Sequence, residues 1–306
     1  MTDVRTTSLV HLRPIRPRRV SFGLGTDEAT PRHFMRGDLV MSHVVAALSA
    51  VFPEGEAYFI RTVRNYRDQV TDPGLKEQVT GFVAQEAAHR REHRQFNDRL
   101  AALGYPTPLV DRLTRYVFGL TEKSVPRNVQ LAVTAALEHY TATLAEVLLT
   151  DPDAQKLFGD DEIRTMFLWH ALEEVEHKAV AFDVYQVIGG GPLLRAWTMR
   201  LVSLSFVGSI SFSAALSMAL DPAAYDPRRL LPSVVRLRRS PWLRRDTLRR
   251  IQDYQRADFH PGDRETAALV ARWSDELSPR IGKPVSMARH GEPQPGSPAD
   301  GRRPDR

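Results

Sequence analysis

The sequence predicts an all-α protein whose centre is a four-helix bundle over residues 38–190. Three observations predict it. Apolar residues recur at alternating steps of four and three along the long segments, the spacing of one helix face. Clusters of Asp, Pro and Gly separate those segments and stop helices. The middle of each stripe is ionisable, although its ends are apolar.

The run from Leu39 to Phe52 is mostly apolar and reads as a helix interrupted at Pro53. A helix can start or restart there, because Pro is tolerated in a first turn. From Glu56 the pattern continues through Ile60, Val63 and Tyr66 until Asp72-Pro73-Gly74 ends it. The next helix carries the clearest stripe: Leu75, Val79, Phe82, Glu86, His89, His93, Phe96 and Leu100, closed by Gly104-Tyr105-Pro106. A further helix, from about Arg127 to Leu149, turns Leu131, Ala135, Glu138, Ala142, Ala145 and Leu149 to one side. The last follows Asp160-Asp161 as Ile163, Phe167, His170, Glu174, His177, Ala181, Val184 and Ile188, and Gly189-Gly190-Gly191-Pro192 stops it.

Burying an unpaired carboxylate costs several kcal/mol, and several of them would unfold most domains. Four inward Glu and several inward His therefore need neutralising, and two bound divalent cations do that directly. The pattern is Glu56, then Glu86-x-x-His89, then Glu138, then Glu174-x-x-His177. A Glu and a His three apart share one helix face and can close on one metal. One Glu from each of two helices, with Glu-x-x-His from each of the other two, is the di-iron or di-manganese carboxylate arrangement of bundle cores. A single Glu-x-x-His arises often by chance; two such motifs centred in their stripes, with a lone inward Glu on each remaining helix, do not. Glu56 is preferred to Glu54 because it aligns with Ile60 and Val63. His170 lies one turn before Glu174 and reads as an additional nitrogen ligand. His93 reads as a group behind the ligands or lining a pocket. His139, Glu173 and Glu176 neighbour the ligands in sequence but are expected to point elsewhere.

Phe52-Pro-Glu-Gly-Glu56, Gln85-Glu-Ala-Ala-His89 with Arg91-Glu-His93, and Ala171-Leu-Glu-Glu-Val-Glu-His177 with Lys178 resemble the bacterial family of predicted metal-dependent hydrolases, over about 31–254. The ligand order, His170 included, also resembles the ferritin-like N-oxygenases that oxidise aryl amines such as p-aminobenzoate. That resemblance implies that Glu56, Glu86, His89, Glu138, His170, Glu174 and His177 are all iron ligands in a ferritin-like bundle. It is confined to these positions, so the substrate does not carry over.

Two chemistries fit such a site. Two ferrous ions bridged by carboxylates can give electrons to O₂ and oxidise a small organic substrate; this is the first reading, a di-iron oxidoreductase supplied by an electron-donor protein. The alternative is a dinuclear hydrolase, in which the two metals lower the pKa of a water and need no electrons. A metal-binding protein without turnover comes third. The cofactors expected are two divalent ions, iron first, with manganese or zinc open. No Gly-x-Ser-x-Gly, P-loop or dinucleotide fingerprint is present, so serine-nucleophile and nucleotide chemistry have no support.

The chain has 306 residues and no cysteine, which excludes disulfides, thiolate zinc sites and iron–sulfur clusters. That composition fits a cytoplasmic protein. The net charge of +5 is uneven: residues 38–225 hold 17 basic and 23 acidic residues, while the N-terminal arm (1–37) and the region 226–280 are basic. An acidic body with basic flanks argues against a nucleic-acid binder. Those flanks are read first as solvated faces and second as contacts to anionic lipid. Leu201 to Leu220 is uncharged but includes six Ser. The preferred reading is a buried helix covering the bundle; the alternative is a membrane-associated segment, with the basic stretch Arg236–Arg256 resting on lipid. Homo-oligomer formation stays open. The tail, 281–306, is expected to be disordered.

Overall fold

The computed structural model describes residues 14–24, 30–282 and 284, so the expected N-terminal arm is seen in part and nearly all of the expected disordered tail lies outside the described residues. The protein is all-α; among the described residues there is no strand. The helices in chain order are α1 (Leu39–Arg64), α2 (Pro73–Ala102), α3 (Thr107–Ser124), α4 (Arg127–Thr150), α5 (Pro152–Gln155), α6 (Asp161–His177), α7 (Val180–Val187), α8 (Pro192–Ala219), α9 (Pro227–Arg238), α10 (Arg245–Asp253) and α11 (Ala267–Ile281).

Aspartates start the helices that matter most for the interior. Asp38 accepts from the Met41 N–H, Asp72 from Leu75 and Asp160 from Ile163, each satisfying an orphan donor of a first turn. From these starts, α1 packs along α2, α4 packs along α6, and α7 lies against α2 and α4.

The interior these helices enclose is layered. Leu75, Val79, Phe82, Leu131, Ala135, Ala181 and Val184 belong to one apolar cluster, Phe96, Leu100, Ala145, Leu149, Ile163 and Phe167 to another. The ionisable residues of the stripes sit between the two. The apolar ends thereby hold the charged middle away from solvent.

Five features depart from the expectation. The α1 helix runs unbroken through Pro53, as a helix interior tolerates when neighbours hold it. The α3 helix is an additional element; its outward face carries exposed Leu113, Tyr116, Val117 and Leu120, and the reading included no helix there. The expected fourth helix is two, broken at Lys178 and Ala179 directly after His177. The N-terminal segment is not a loose flank: Ile15, Val20, Phe22 and Leu24 are buried in the core clusters, and Arg91 holds the Val20 carbonyl at 3.0 Å. Finally, the apolar stretch forms α8 against α1 and α4, but it is largely exposed rather than buried: most of its large side chains point outward, Met199 and Val202 excepted.

Candidate metal centre

All seven residues expected to face inward do so, each 5% exposed or less. They arrive from four helices: Glu56 from α1, Glu86 and His89 from α2, Glu138 from α4, and His170, Glu174 and His177 from α6. Potential ligand atoms of Glu56, Glu86 and His89 lie within 4.8 Å of one another, as do those of His89, His170 and Glu174, and those of Glu86, Glu138 and His177. The expected pattern thus converges on one enclosed volume. Glu54, the rejected neighbour of Glu56, turns outward to Arg94 at 2.8 Å and Arg115 at 3.2 Å.

Hydrogen bonds behind two of the three imidazoles fix which nitrogen each presents. Asn97 donates its amide N–H to the Ser49 carbonyl, so its Oδ1 accepts the Ser49 hydroxyl proton at 2.7 Å. The Ser49 oxygen must then accept from His93 Nδ1–H at 2.9 Å. His93 Nε2 is left bare and accepts from His170 Nδ1–H at 2.7 Å. His170 Nε2 is therefore a lone pair, 3.0 Å from Glu174 Oε1. A second chain does the same for His177. Gln85 donates to Glu176 at 2.8 Å, which aims its oxygen at His177 Nδ1 at 3.0 Å and leaves His177 Nε2 facing inward. The third imidazole has a carboxylate behind it instead: His89 Nε2 lies at ion-pair distance, 3.2 Å, from Glu173 Oε2, and its Nδ1 faces inward.

The three inward nitrogens meet the same oxygen. Glu174 Oε1 lies 3.0 Å from His170 Nε2, 3.4 Å from His89 Nδ1 and 3.5 Å from His177 Nε2. Glu86 Oε1 lies 3.2 Å from His177 Nε2 and 3.5 Å from His89 Nδ1. Lone pairs facing carboxylate oxygens repel unless something positive lies between them. Neither oxygen of Glu56, Glu86 or Glu138 has a hydrogen-bond partner.

Electrostatics agree with the geometry. Burial, reinforced by the charge of Glu86, pushes Glu56 well above the usual carboxylate range. Burial raises Glu86 too, and Glu138 up to about 8. For Glu174 burial acts in the same sense, but His177, His170 and His89 outweigh it and hold the carboxyl well below its usual range. Burial disfavours protonated His89 and His177, yet the surrounding carboxylates raise both. Burial keeps His170 neutral, pushing it down to about 4, and holds His93 low as well. The carboxylates thus draw protons to His89 and His177, as they would draw any cation. The donor set fits divalent metal ions on these grounds: orphaned carboxylate oxygens, inward lone pairs and oriented outer nitrogens.

The sequence reading missed most of this outer layer. Glu173, expected to point elsewhere, is wholly buried against His89 and anchored by Arg18, whose Nη1 donates to Glu173 Oε1 at 3.0 Å. Arg18 also holds Glu176 at 2.6 Å. The only signal for Glu173 is its adjacency to Glu174; nothing local pairs it with Arg18 across 155 positions. His93 does stand behind a candidate ligand, as expected. His139 does point away, to the Arg250 carbonyl at 2.9 Å, beside a cavity of about 270 Å³ that Lys178 and His260 also line.

A second cluster, His33, His43 and Asp221, also meets the distance test for a metal. Its hydrogen bonds argue for a structural latch. Arg229 donates to His33 Nδ1, so His33 Nε2 carries its proton and donates to Asp221 at 2.8 Å. Arg32 adds a positive charge to the same carboxylate at 3.2 Å.

An all-helical interior with carboxylate and imidazole donors arranged in this way defines a metal-binding class of protein. The chain belongs to the family described as predicted metal-dependent hydrolase, whose model matches residues 16–265. No curated protein and no solved structure matches the chain.

Proposed function

We propose that the protein is a hydrolase acting on a small organic substrate at a two-metal centre held by Glu56, Glu86, His89, Glu138, His170, Glu174 and His177. The observation that carries the metal centre is the convergence of three inward imidazole nitrogens on Glu174 Oε1. Family membership favours hydrolysis and reverses the order in which the sequence alone places the two chemistries.

Glu86 lies beside His89 and His177, and Glu174 beside His89, His170 and His177, so both carboxylates would help to hold the ions. Glu56, His89 and His170 group on one side, and Glu138 and His177 on the other. When bound, two divalent ions would supply Lewis-acid polarisation of the substrate and a water of lowered pKa. The chain's own residues fix the rest. Gln85 and His93 hold His177 and His170 each in one tautomer, and the Glu173 carboxylate stands at ion-pair distance behind His89. Trp169 packs edge-on to His89 at 4.9 Å and Phe82 to His177 at 5.0 Å, which excludes bulk water from the donors. Phe52 packs on His93 and His170 at 4.7 and 5.0 Å and closes the α1 side.

One observation favours oxidation by O₂ as a second reading. His170 presents an additional bare nitrogen, which gives the seven-donor order of the aryl-amine N-oxygenases that the sequence resembles. Iron would be the metal and an electron-donor protein the partner.

The discriminating experiment loads the protein with zinc, manganese or iron and screens ester, amide and phosphoester substrates without oxygen. Turnover with redox-inert zinc supports hydrolysis. Turnover only with iron, O₂ and reductant would replace hydrolysis by oxidation.

A further inference from the structure

We propose that α8 seats the protein, lying in plane, on an anionic lipid surface. Leu193, Trp197, Leu201, Leu204, Val207 and Phe212 fall within about 140° of arc at 100° per residue. All six are exposed, Leu204 to 77% and Trp197 to 61%. The opposite face, against α1 and α4, buries Met199 and Val202 together with Arg195, Thr198, Ser213 and Ser217. The face toward the protein is thus mixed, with only two large apolar side chains fully buried, while the longer apolar row faces outward. A row of this size is far beyond the scattered apolar residues of an ordinary surface.

The helix is long and apolar enough to cross a membrane, but its packing argues for lying on one. It is buried against the body near its start, at Met199 and Val202, and again near its end, at Ala214 and Ser217. A helix tied along its length to a globular body presents one face to lipid rather than entering it end-on. Its serines suit that medium. Ser203, Ser205 and Ser209 donate to the carbonyls of Met199, Val202 and Phe206, so dehydration strands none of these hydroxyl protons.

Charge selects the lipid. Residues 184–220 contain no acidic side chain. Arg200 lies exposed with its guanidinium 4.9 Å from the Trp197 ring, a pairing suited to the headgroup boundary. The segment from α9 to α10 adds exposed Arg228, Arg238, Arg239, Arg245 and Arg249, none in an ion pair with a described residue. A second copy of the chain meeting this face through α8 would bring no carboxylate from α8 to balance Arg200.

The test is co-sedimentation of the full chain with vesicles of phosphatidylcholine alone or mixed with phosphatidylglycerol. The expected result is binding to the mixed vesicles, weakened by salt, with a blue shift of tryptophan emission that Trp197→Phe removes without abolishing binding. Leu201→Ser with Leu204→Ser should weaken partition by about ten-fold per side chain. Both positions are exposed, so unchanged helical circular dichroism identifies a folded variant. Binding to neither vesicle, or binding that the double variant leaves intact, would overturn the proposal. Equal binding to both vesicles would overturn the anionic preference. A dimer in solution that the double variant converts to monomer would assign the face to a second copy instead.

Discussion

His89 and Glu173 meet at 3.2 Å in the protein interior, and Arg18 grips the far oxygen of the same carboxylate at 3.0 Å. The N-terminal segment is thereby joined to the candidate metal centre by one continuous polar chain. It explains why a buried arginine is present at all: burial disfavours its charge, and Glu176 and Glu173 restore it. Glu173→Gln should keep an oxygen for the imidazole but lose its charge, so metal affinity should fall about 10–100-fold. Competition with a chelator measures this, and unchanged affinity would show that Glu173 does not hold His89 for a metal.

The ligand assignment separates residues that are neighbours in sequence. Glu86→Ala and Glu174→Ala should each lose bound metal, whereas His139→Ala, beside Glu138 but directed at the Arg250 carbonyl, should keep it. Elemental analysis of the three purified variants checks this. Equal metal content in all three would refute the assignment.

His139 also predicts a pH dependence. Burial pushes it down to about 4, against the opposing bond to the Arg250 carbonyl. Unfolded, it titrates near 6.5, so between these values the unfolded chain binds the extra proton. Stability therefore rises with pH across that window and is lost as pH falls through it, by at most about 3 kcal/mol. Urea unfolding of the native chain and of His139→Gln at pH 7 and pH 4.5 should show a smaller loss in the variant. The same loss in both would place the pH dependence elsewhere.

Gly81 tests the packing of the N-terminal segment on α2. A Cβ there would lie 2.2 Å from the Ile15 carbonyl oxygen, backbone against which nothing flexible can yield. Gly81→Ala should cost about 1–3 kcal/mol by forcing the segment away. Thermal unfolding, with proteolysis near residue 15 as a local readout, measures it. An unshifted midpoint would contradict close packing.

Much of the centre was legible because its signal is local. Glu86 with His89, and Glu174 with His177, sit one helical turn apart, and any helix places each pair on one face. The apolar ends of the same stripes gave the direction. What stayed hidden depends on contacts between distant segments. Glu173 differs from an ordinary helix-surface glutamate only through Arg18, and the tautomer of His170 rests on Asn97 and Ser49 from two other helices. Pro53 was misread because a local rule about proline yields to packing on both sides of α1. For α8 the composition was plain, but composition cannot say whether an apolar helix faces the core or the outside.

On the proposed function, two divalent ions occupy the interior among Glu56, Glu86, Glu138, Glu174 and the three imidazoles. Metal content of the full chain after anaerobic reconstitution, excess metal removed, tests it most directly. About two ions per chain are expected, the number that bundle-core carboxylate centres hold. Fewer than one per chain, in protein whose helical content shows it folded, would contradict it and leave the buried carboxylates to be neutralised by protons.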